Sequence, residues 1–462
     1  MKTWQGRISA PSNPLFERFS SSVDDDRVLA PYDIRVSRAH VAALALAGII
    51  SHEEADRLNK ALGEVEREIA KDRFVWRDDL EDVHTHVEVA LRDRVGALAD
   101  SIHAGRSRNE QVAADLRLYT LDQTAEVLQR IVDLQETLLQ QASRNAASPM
   151  PGYTHLQQAQ PVTIGFAITA SVAMLDRDWE RFEGSLARVG RSPLGCAALA
   201  GSSLPLDRDL LASLAGLGQP SENALDAVGD RDFIVEFIAA AALCMVHLSR
   251  LSEDFIFWSS TELGFVVLPD AFASGSSMMP QKKNPDVFEL VRGKAAIVQG
   301  ALAGSLALLK GLPGGYDRDL QESKPLLFLS ARTLISCLEV LCATVQEVRF
   351  DGQRSAAAIS GFSVATDLAE HLVVQGVPFR QAHETVAGIV RACVEEGRTL
   401  EELRDDEKVE LRLDGTGRPP TAEDSIRAKR TSGSTNVEDV QRQIRAFERR
   451  GAAHRRRLEQ LR

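Results

Sequence analysis

The chain has 462 residues, 44% of them hydrophobic and 26% charged, a balance that excludes a disordered or fibrous polypeptide. Single cores stop growing at roughly 250 to 300 residues, so this length implies two or three domains or one elongated helical body. With 54 Lys and Arg against 66 Asp and Glu the net charge is -12, which excludes a general electrostatic grip on nucleic acid or anionic membrane; an anionic ligand needs a local basic site.

The opening, MKTWQGRISAPSN, lacks the apolar region of a signal peptide, and residues 1 to 105 mix short helical patterns with charged loops. In DDLEDVHTHVE, His84 and His86 stand two apart and share no helix face, so no metal site is expected there. Next comes HAGRSRNEQ, residues 103 to 111, where Arg106, Arg108 and Asn109 offer fork-like donors suited to carboxylates beside a glycine hinge. The same composition also describes an ordinary solvent-facing turn.

From about 110 to 147 Leu121, Ala125, Leu128, Val132 and Leu139 line one helical seam. The Pro- and Gly-framed piece 148 to 161, SPMPGYTHLQQAQP, reads as a loop. It places His155, a group able to exchange a proton near neutral pH, beside Thr154; a satisfied loop histidine fits it too. Another helix is expected over 162 to 189, then a second such loop over 190 to 207.

The clearest helix covers 231 to 263: Phe233, Phe237, Ala240, Cys244, Leu248, Leu251, Phe255 and Trp258 step by threes and fours. Its most apolar part, Phe233 to Leu248, is interrupted by Glu236 and His247, so no membrane span is expected. Residues 273 to 289, ASGSSMMPQKKNPDVFE, join a small-residue loop and two lysines to a helix start at Asn284-Pro285. Helix-terminal N–H groups with Lys282 would meet a carboxylate or its developing charge, and Ser276 could swing over them on the Gly275 hinge. Alone, this is equally a flexible turn followed by a solvated lysine pair. Helices over 285 to 311 and 324 to 349 flank the loop GLPGGYDRDLQESK, and beyond 357 shorter, more polar helices end in the Arg-rich run Arg442 to Arg462, read as a solvated helix face.

Five long helices predict an all-α bundle, with domains at 1–105, 106–357 and 358–462. The five cysteines form no C-x-x-C pair and sit mostly in apolar stretches, as reduced core cysteines of a cytoplasmic protein do. No phosphate-binding P-loop, dinucleotide fingerprint or hydrolase elbow is present.

Together GSSMMPQKKNPD, GYTHLQQAQP, HAGRSRNEQ and LPGGYDRDLQESK resemble the signatures of the fumarase/aspartase superfamily. The Gln-Lys-Lys of MPQKKNP, the YDRDLQE run and PFRQAHE at 378 to 384 resemble its argininosuccinate-lyase branch, and the likeness runs from about Phe16 to Glu384. The resemblance implies a three-domain all-α fold whose central bundle is shared in a homotetramer, with each active site built from three chains. It implies reversible anti-elimination of argininosuccinate to arginine and fumarate, with no metal or organic cofactor and no nucleic-acid or membrane partner. By the same resemblance Ser276 is the base, Lys282 and Asn284 stabilise the dianion, and His155 paired with Glu289 handles the leaving-nitrogen proton. Ser22, Arg108, Asn109, Thr154, Tyr316, Gln321 and Lys324 form the substrate-binding set.

Departures from the resembling pattern are Ala104 for Thr, Glu110 for Asp, Ser101 for Lys, WQGRI for WGGRF and TSGST for a GGTA-like run. Two alternatives compete with this reading: another fumarate-releasing lyase of the adenylosuccinate kind, and a non-catalytic structural paralogue like the lens delta-crystallins.

Overall fold

The computed structural model describes residues 12 to 77, 79 to 413 and 417 to 461; WQGRI, Asp78 and Arg462 lie outside the described residues. The fold is all-α. After two short helices at Pro14–Ser20 and Val23–Asp26 come three longer ones: α1 (Ala30–Leu46), α2 (His52–Ala70) and α3 (Val83–Val95). A capping box starts α2, the Ser51 hydroxyl accepting the Glu54 N–H at 3.2 Å and the Glu54 carboxylate accepting the Ser51 N–H at 2.8 Å. Ile34, Val41 and Leu44 of α1, Leu58, Leu62 and Val65 of α2 and Val87 and Leu91 of α3 close a local core.

Five long helices follow, with ends within about one turn of those expected: α4 (Arg108–Arg144), α5 (Ile164–Val189), α6 (Asp232–Ser259), α7 (Asp286–Leu309) and α8 (Ser323–Glu347). Every residue of the α6 stripe, from Phe233 to Trp258, is buried. The helix stops at Ser259, short of the expected end, because the chain turns through Gly264, whose φ of 61° is left-handed. Two stretches, Asp232–Ser259 and Arg318–Glu347, are long and apolar enough to cross a membrane; 61% and 44% of their most apolar windows are buried inside the protein, as in core helices of a bundle.

One helix carries two seams. On α7, Phe288, Val291, Ala295, Val298 and Ala301 are buried, while Leu290, Gly293, Ile297, Gly300 and Gly304, also spaced by threes and fours, are exposed.

Residues 148 to 161 are not a loop. β1 (Pro149–Thr154) and β2 (Gln157–Thr163) form an antiparallel hairpin pairing Thr154 with Gln157. A register shift falls at Gly152, where a side chain would lie within 2.8 Å of the Gln160 carbonyl oxygen. A two-pair ladder joins β3 (Ser274–Gly275) to β4 (Lys283–Asn284). Toward the C-terminus α9 (Ala365–Val374) and α10 (Phe379–Glu395) enclose Leu368, Leu372, Val386 and Ile389.

The Arg-rich end is α11 (Val437–Leu461), and its basic face is not merely solvated. Arg450 pairs with Asp176 at 2.8 Å and Arg455 with Asp133 at 2.8 Å and Glu136 at 2.7 Å, while Val440, Ile444 and Leu458 are buried. None of the five cysteines is in a disulfide. The chain divides into two compact units, Met1–Val127 with Arg181–Ala242 and Ile297–Thr333, and Leu128–Glu180 with Leu243–Ala296 and Leu334–Arg462.

Candidate active site

His155 and Leu156 are the two central residues of the hairpin turn, with φ of 58° and 56°. Positive φ at both centres is the turn whose twist matches paired strands, yet it normally calls for Asn and Gly. A β-carbon is disfavoured there, so the turn keeps its shape only because the strands enforce it; such outliers cluster at functional sites. The effect is to present Thr154 and His155 in solvent at the tip of a rigid support.

In the same unit, Ser276 begins the loop closed by the β3–β4 ladder. Its Oγ accepts hydrogen bonds from the backbone N–H of Met278 at 3.3 Å and Met279 at 3.0 Å. Two donors on a hydroxyl oxygen favour its anionic form, a source of activation for a serine base that spacing alone does not reveal.

The base of the loop is pinned twice. Asn284 Nδ2 donates to Ser274 Oγ at 3.2 Å and to the Gly275 carbonyl at 3.4 Å, and Asp286 accepts the Ser274 N–H at 2.8 Å. Asn284 is therefore not the N-cap: α7 starts at Asp286, with the Pro285 carbonyl accepting the Glu289 N–H at 3.1 Å. The two lysines differ. Lys283 is held by Asp270 and the Leu268 carbonyl, both at 2.5 Å, whereas exposed Lys282 makes no ion pair among the described residues. Glu289 and His155 are both exposed, and no hydrogen bond or ion pair joins them within the chain among the described residues.

The other unit gathers most of the expected binding residues. Ser22 Oγ donates to Asp26 at 2.5 Å and Lys324 Nζ to the same carboxylate at 2.8 Å, and Lys324 is only 4% exposed. Burial raises the Asp26 pKa, with Lys324 and Ser22 pulling it back. Gln321 Nε2 reaches the Ser20 carbonyl at 3.5 Å, and Arg318 donates to that carbonyl at 2.8 Å and to Glu81 at 2.5 Å. Arg108 donates to Asp82 at 3.1 Å and Glu88 at 2.9 Å. Burial alone would raise the Asp82 pKa, but Arg108 and the Thr85 hydrogen bonds outweigh it and hold it below the usual carboxylate value.

Asn109 lies in the first turn of α4, its N–H accepted by Ser107 Oγ at 3.2 Å and its Nδ2 donating to the Ala198 carbonyl at 3.1 Å. Tyr316 is half-buried after the Gly314–Gly315 turn, near Arg231, whose guanidinium burial lowers to about pKa 10 against the pull of Tyr316 and Asp230.

Sequence reasoning missed Asp26, which is buried, and Asp82, which is half-buried, the carboxylates that orient Lys324 and Arg108. In the run Asp24-Asp25-Asp26 only burial distinguishes the third, and no pattern marks it. His84 and His86 take separate partners, as their spacing implies: His84 Nδ1 lies 2.8 Å from Asp33, while His86 Nε2 accepts the Arg77 N–H at 2.9 Å. Among the described residues, Asp33, His84 and Asp115 are the group whose donor atoms lie close enough to approach a metal ion together, with His84 Nδ1 already engaged by Asp33.

A family model described as lyase matches residues 6–300, and one described as argininosuccinate lyase C-terminal matches 362–427. The argininosuccinate lyase of Symbiobacterium thermophilum is 47% identical over 403 residues, 87% of each chain. That of Neisseria gonorrhoeae is 44% identical over 450 residues, 96% of this chain and 98% of the relative. Among solved structures, an EDDS lyase variant with bound fumarate superposes with a TM-score of 0.82 at 26% identity, over 98% of this chain and 93% of that one. A class II fumarase from Schistosoma mansoni, 18% identical with a TM-score of 0.72 over 83% of this chain and 87% of that one, shares the fold. With the motifs, the all-α architecture and these similarities in agreement, the chain belongs to the argininosuccinate lyase family of the fumarase/aspartase superfamily.

Proposed function

We propose that the site performs the reversible anti-elimination of argininosuccinate to L-arginine and fumarate in arginine biosynthesis. The observation that carries the reading is Ser276, whose Oγ sits under two backbone N–H donors in a loop that leads into α7 and bears Lys282, which makes no ion pair among the described residues. Ser276 takes the proton from the methylene beside a carboxylate, and the electron pair moves into that carboxylate. Lys282, Asn284 and the amino end of α7 meet the resulting double negative charge. The electrons then return to form the C=C bond of fumarate as the C–N bond breaks, and His155 delivers a proton to the departing nitrogen. Ser22, Arg108, Asn109, Thr154, Tyr316, Gln321 and Lys324 bind the substrate, the buried Asp26 fixing the Lys324 ammonium.

The enzyme is read as a cytoplasmic homotetramer with active sites shared between subunits. The exposed seam Leu290, Gly293, Ile297, Gly300 and Gly304 on α7 supports this: close-spaced glycines between apolar side chains suit contact with another helix. The missing His155–Glu289 bond within one chain fits a pair completed by two subunits. The reading of three domains, 1–105, 106–357 and 358–462, draws support from two local cores whose buried members fall within residues 34 to 102 and 364 to 411.

The test is fumarate release, followed by its ultraviolet absorbance, with argininosuccinate and adenylosuccinate in parallel. Turnover of argininosuccinate is expected, and Ser276→Ala loses at least ~10²-fold in kcat, the scale of a general base, while still binding product. Near-normal turnover by the variant refutes the role of Ser276, and absence of turnover with both substrates refutes the activity.

A further inference from the structure

Residues 194 to 206 contribute no side chain to the proposed catalytic or substrate-binding set, yet they wrap the 103–111 turn at three points. A side chain at Gly105, whose φ is 69°, would come within 2.8 Å of Leu204 Cδ1 and 2.9 Å of Ser202 Oγ, so the segment lies directly on that turn. The Ala198 carbonyl accepts the Asn109 amide at 3.1 Å, and the Ala197 N–H donates to Glu110 Oε2 at 2.6 Å. The base of the segment is held separately by Arg208, which donates to the Leu194 carbonyl at 2.9 Å and to Cys196 Sγ at 3.1 Å.

Two features show that the Glu110 contact imposes a conformation. Ala197 has a φ of 51°, a region a non-glycine residue enters only under constraint. Glu110 is 1% exposed, so its carboxylate has left water to make this bond. Burial pushes its pKa up to about 7, opposed by the Ala197 N–H, Arg106 and the backbone of Ser107 and Gly195; Cys196 also faces it. Glu110 is the third residue of α4, where the Ser107-x-x-Glu110 spacing would ordinarily turn the carboxylate back only to the helix cap.

We propose that Glu110 is a positioning residue for Asn109: by gripping Ala197 it holds the Ala198 carbonyl that fixes one N–H of the Asn109 amide, leaving the second N–H and Oδ1 aimed at substrate. The proposal rests on the reading of Asn109 as a substrate-binding residue. It also gives a function to this chain's departure from Asp to Glu, because the additional methylene provides the reach to Ala197.

The experiment measures kcat and KM for argininosuccinate, with Tm, in Glu110→Asp, Glu110→Gln, Asn109→Ala and the Asn109→Ala/Glu110→Gln double variant of the full-length enzyme. Glu110→Asp withdraws the carboxylate by about 1.5 Å and raises KM about tenfold with kcat changed less than about twofold. Glu110→Gln keeps a neutral acceptor and raises KM about threefold, yet near pH 8 its Tm rises, because an ionised buried carboxylate has been removed. Affinity and stability thus move in opposite directions, which a purely structural role does not produce, and the Gln variant carries the test if the Asp variant does not fold. Adding Glu110→Gln to Asn109→Ala leaves KM where Asn109→Ala alone put it. Unchanged KM in both Glu110 variants, or additive effects in the double variant, overturns the proposal while Asn109→Ala still raises KM. If Asn109→Ala itself leaves KM unchanged, the binding role of Asn109 fails and the proposal with it.

Discussion

Gly229→Ala separates stability from substrate binding. Gly229 ends the short helix Ala224–Gly229, and a methyl group on it would lie 2.9 Å from the carbonyl carbon of Gly315 and closer still to its oxygen. Carbon atoms prefer roughly 3.5 to 4.0 Å, so Gly315, whose φ is 92°, must retreat by about 0.6 to 1 Å. Tyr316 is the next residue and moves with it. Overpacking of this kind costs about 1 to 3 kcal/mol, while Ala in place of Gly in a helix returns up to about 1 kcal/mol, leaving a net loss of ~0 to 3 kcal/mol. Catalysis is less forgiving, since misplacing a binding group by about 1 Å costs up to 10²-fold. The expected result is a fall in kcat/KM of at least about tenfold, mainly through KM, with a fall in Tm of only a few degrees, read from fumarate release and calorimetry on one preparation. An unchanged kcat/KM with a lowered Tm would show that the turn bears no substrate contact and refute the placement of Tyr316.

Three further outcomes follow from the same geometry. His155→Asn and Ser276→Ala proteins, each inactive, should regain roughly a quarter of wild-type sites when unfolded and reassembled together at equal ratio, since each donor is independently intact with a chance of about one half; mixed tetramers seen by native mass spectrometry without activity refute the shared site. Lys282→Ala should lower kcat by roughly 10²-fold or more with little change in Tm, whereas Lys283→Ala, which frees Asp270 and the Leu268 carbonyl, should act on loop order before chemistry; equal kinetic losses refute the distinction. For Glu110 the folded pKa of about 7 lies above the ordinary 4.5, so its stabilising protonated state is complete below about pH 4.5 and is lost as pH rises through about 7. Glu110→Gln should therefore gain on the order of 3 kcal/mol over wild type near pH 8 and almost nothing near pH 4.5, and pH-independent denaturation differences between the two proteins refute that linkage.

Much of the molecule follows from periodicity. A helix buries a stripe every three or four residues, so Phe233 to Trp258 specify α6 without knowledge of its neighbours, and the other four long helices are legible for the same reason. The loop motifs are equally local: glycine hinge, serine, lysine pair and helix start are contiguous, so their order marks the loop as a candidate site even though the partners of each group do not show in it. The hairpin at 149–163 escaped because three prolines and a bulge at Gly152 break the alternation by which strands are read, and because its turn uses His155 and Leu156 where Asn and Gly are the usual signal.

Tertiary structure decided the questions that depend on distant partners. Adjacent lysines have the same local environment in sequence, and only Asp270 and the Leu268 carbonyl remove Lys283 from the candidates. Likewise Asp26 is set apart from Asp24 and Asp25 only when Lys324, almost three hundred residues away, buries its ammonium against it. Glu110 belongs to the same class, since a carboxylate's value as an anchor lies in the amide it meets and that amide is in Ala197. Sequence by itself determined the helices, the family and the candidate loop, because those are encoded in neighbouring residues; which side chains are free and which are committed is a property of burial and pairing, and chain folding alone brings those partners together.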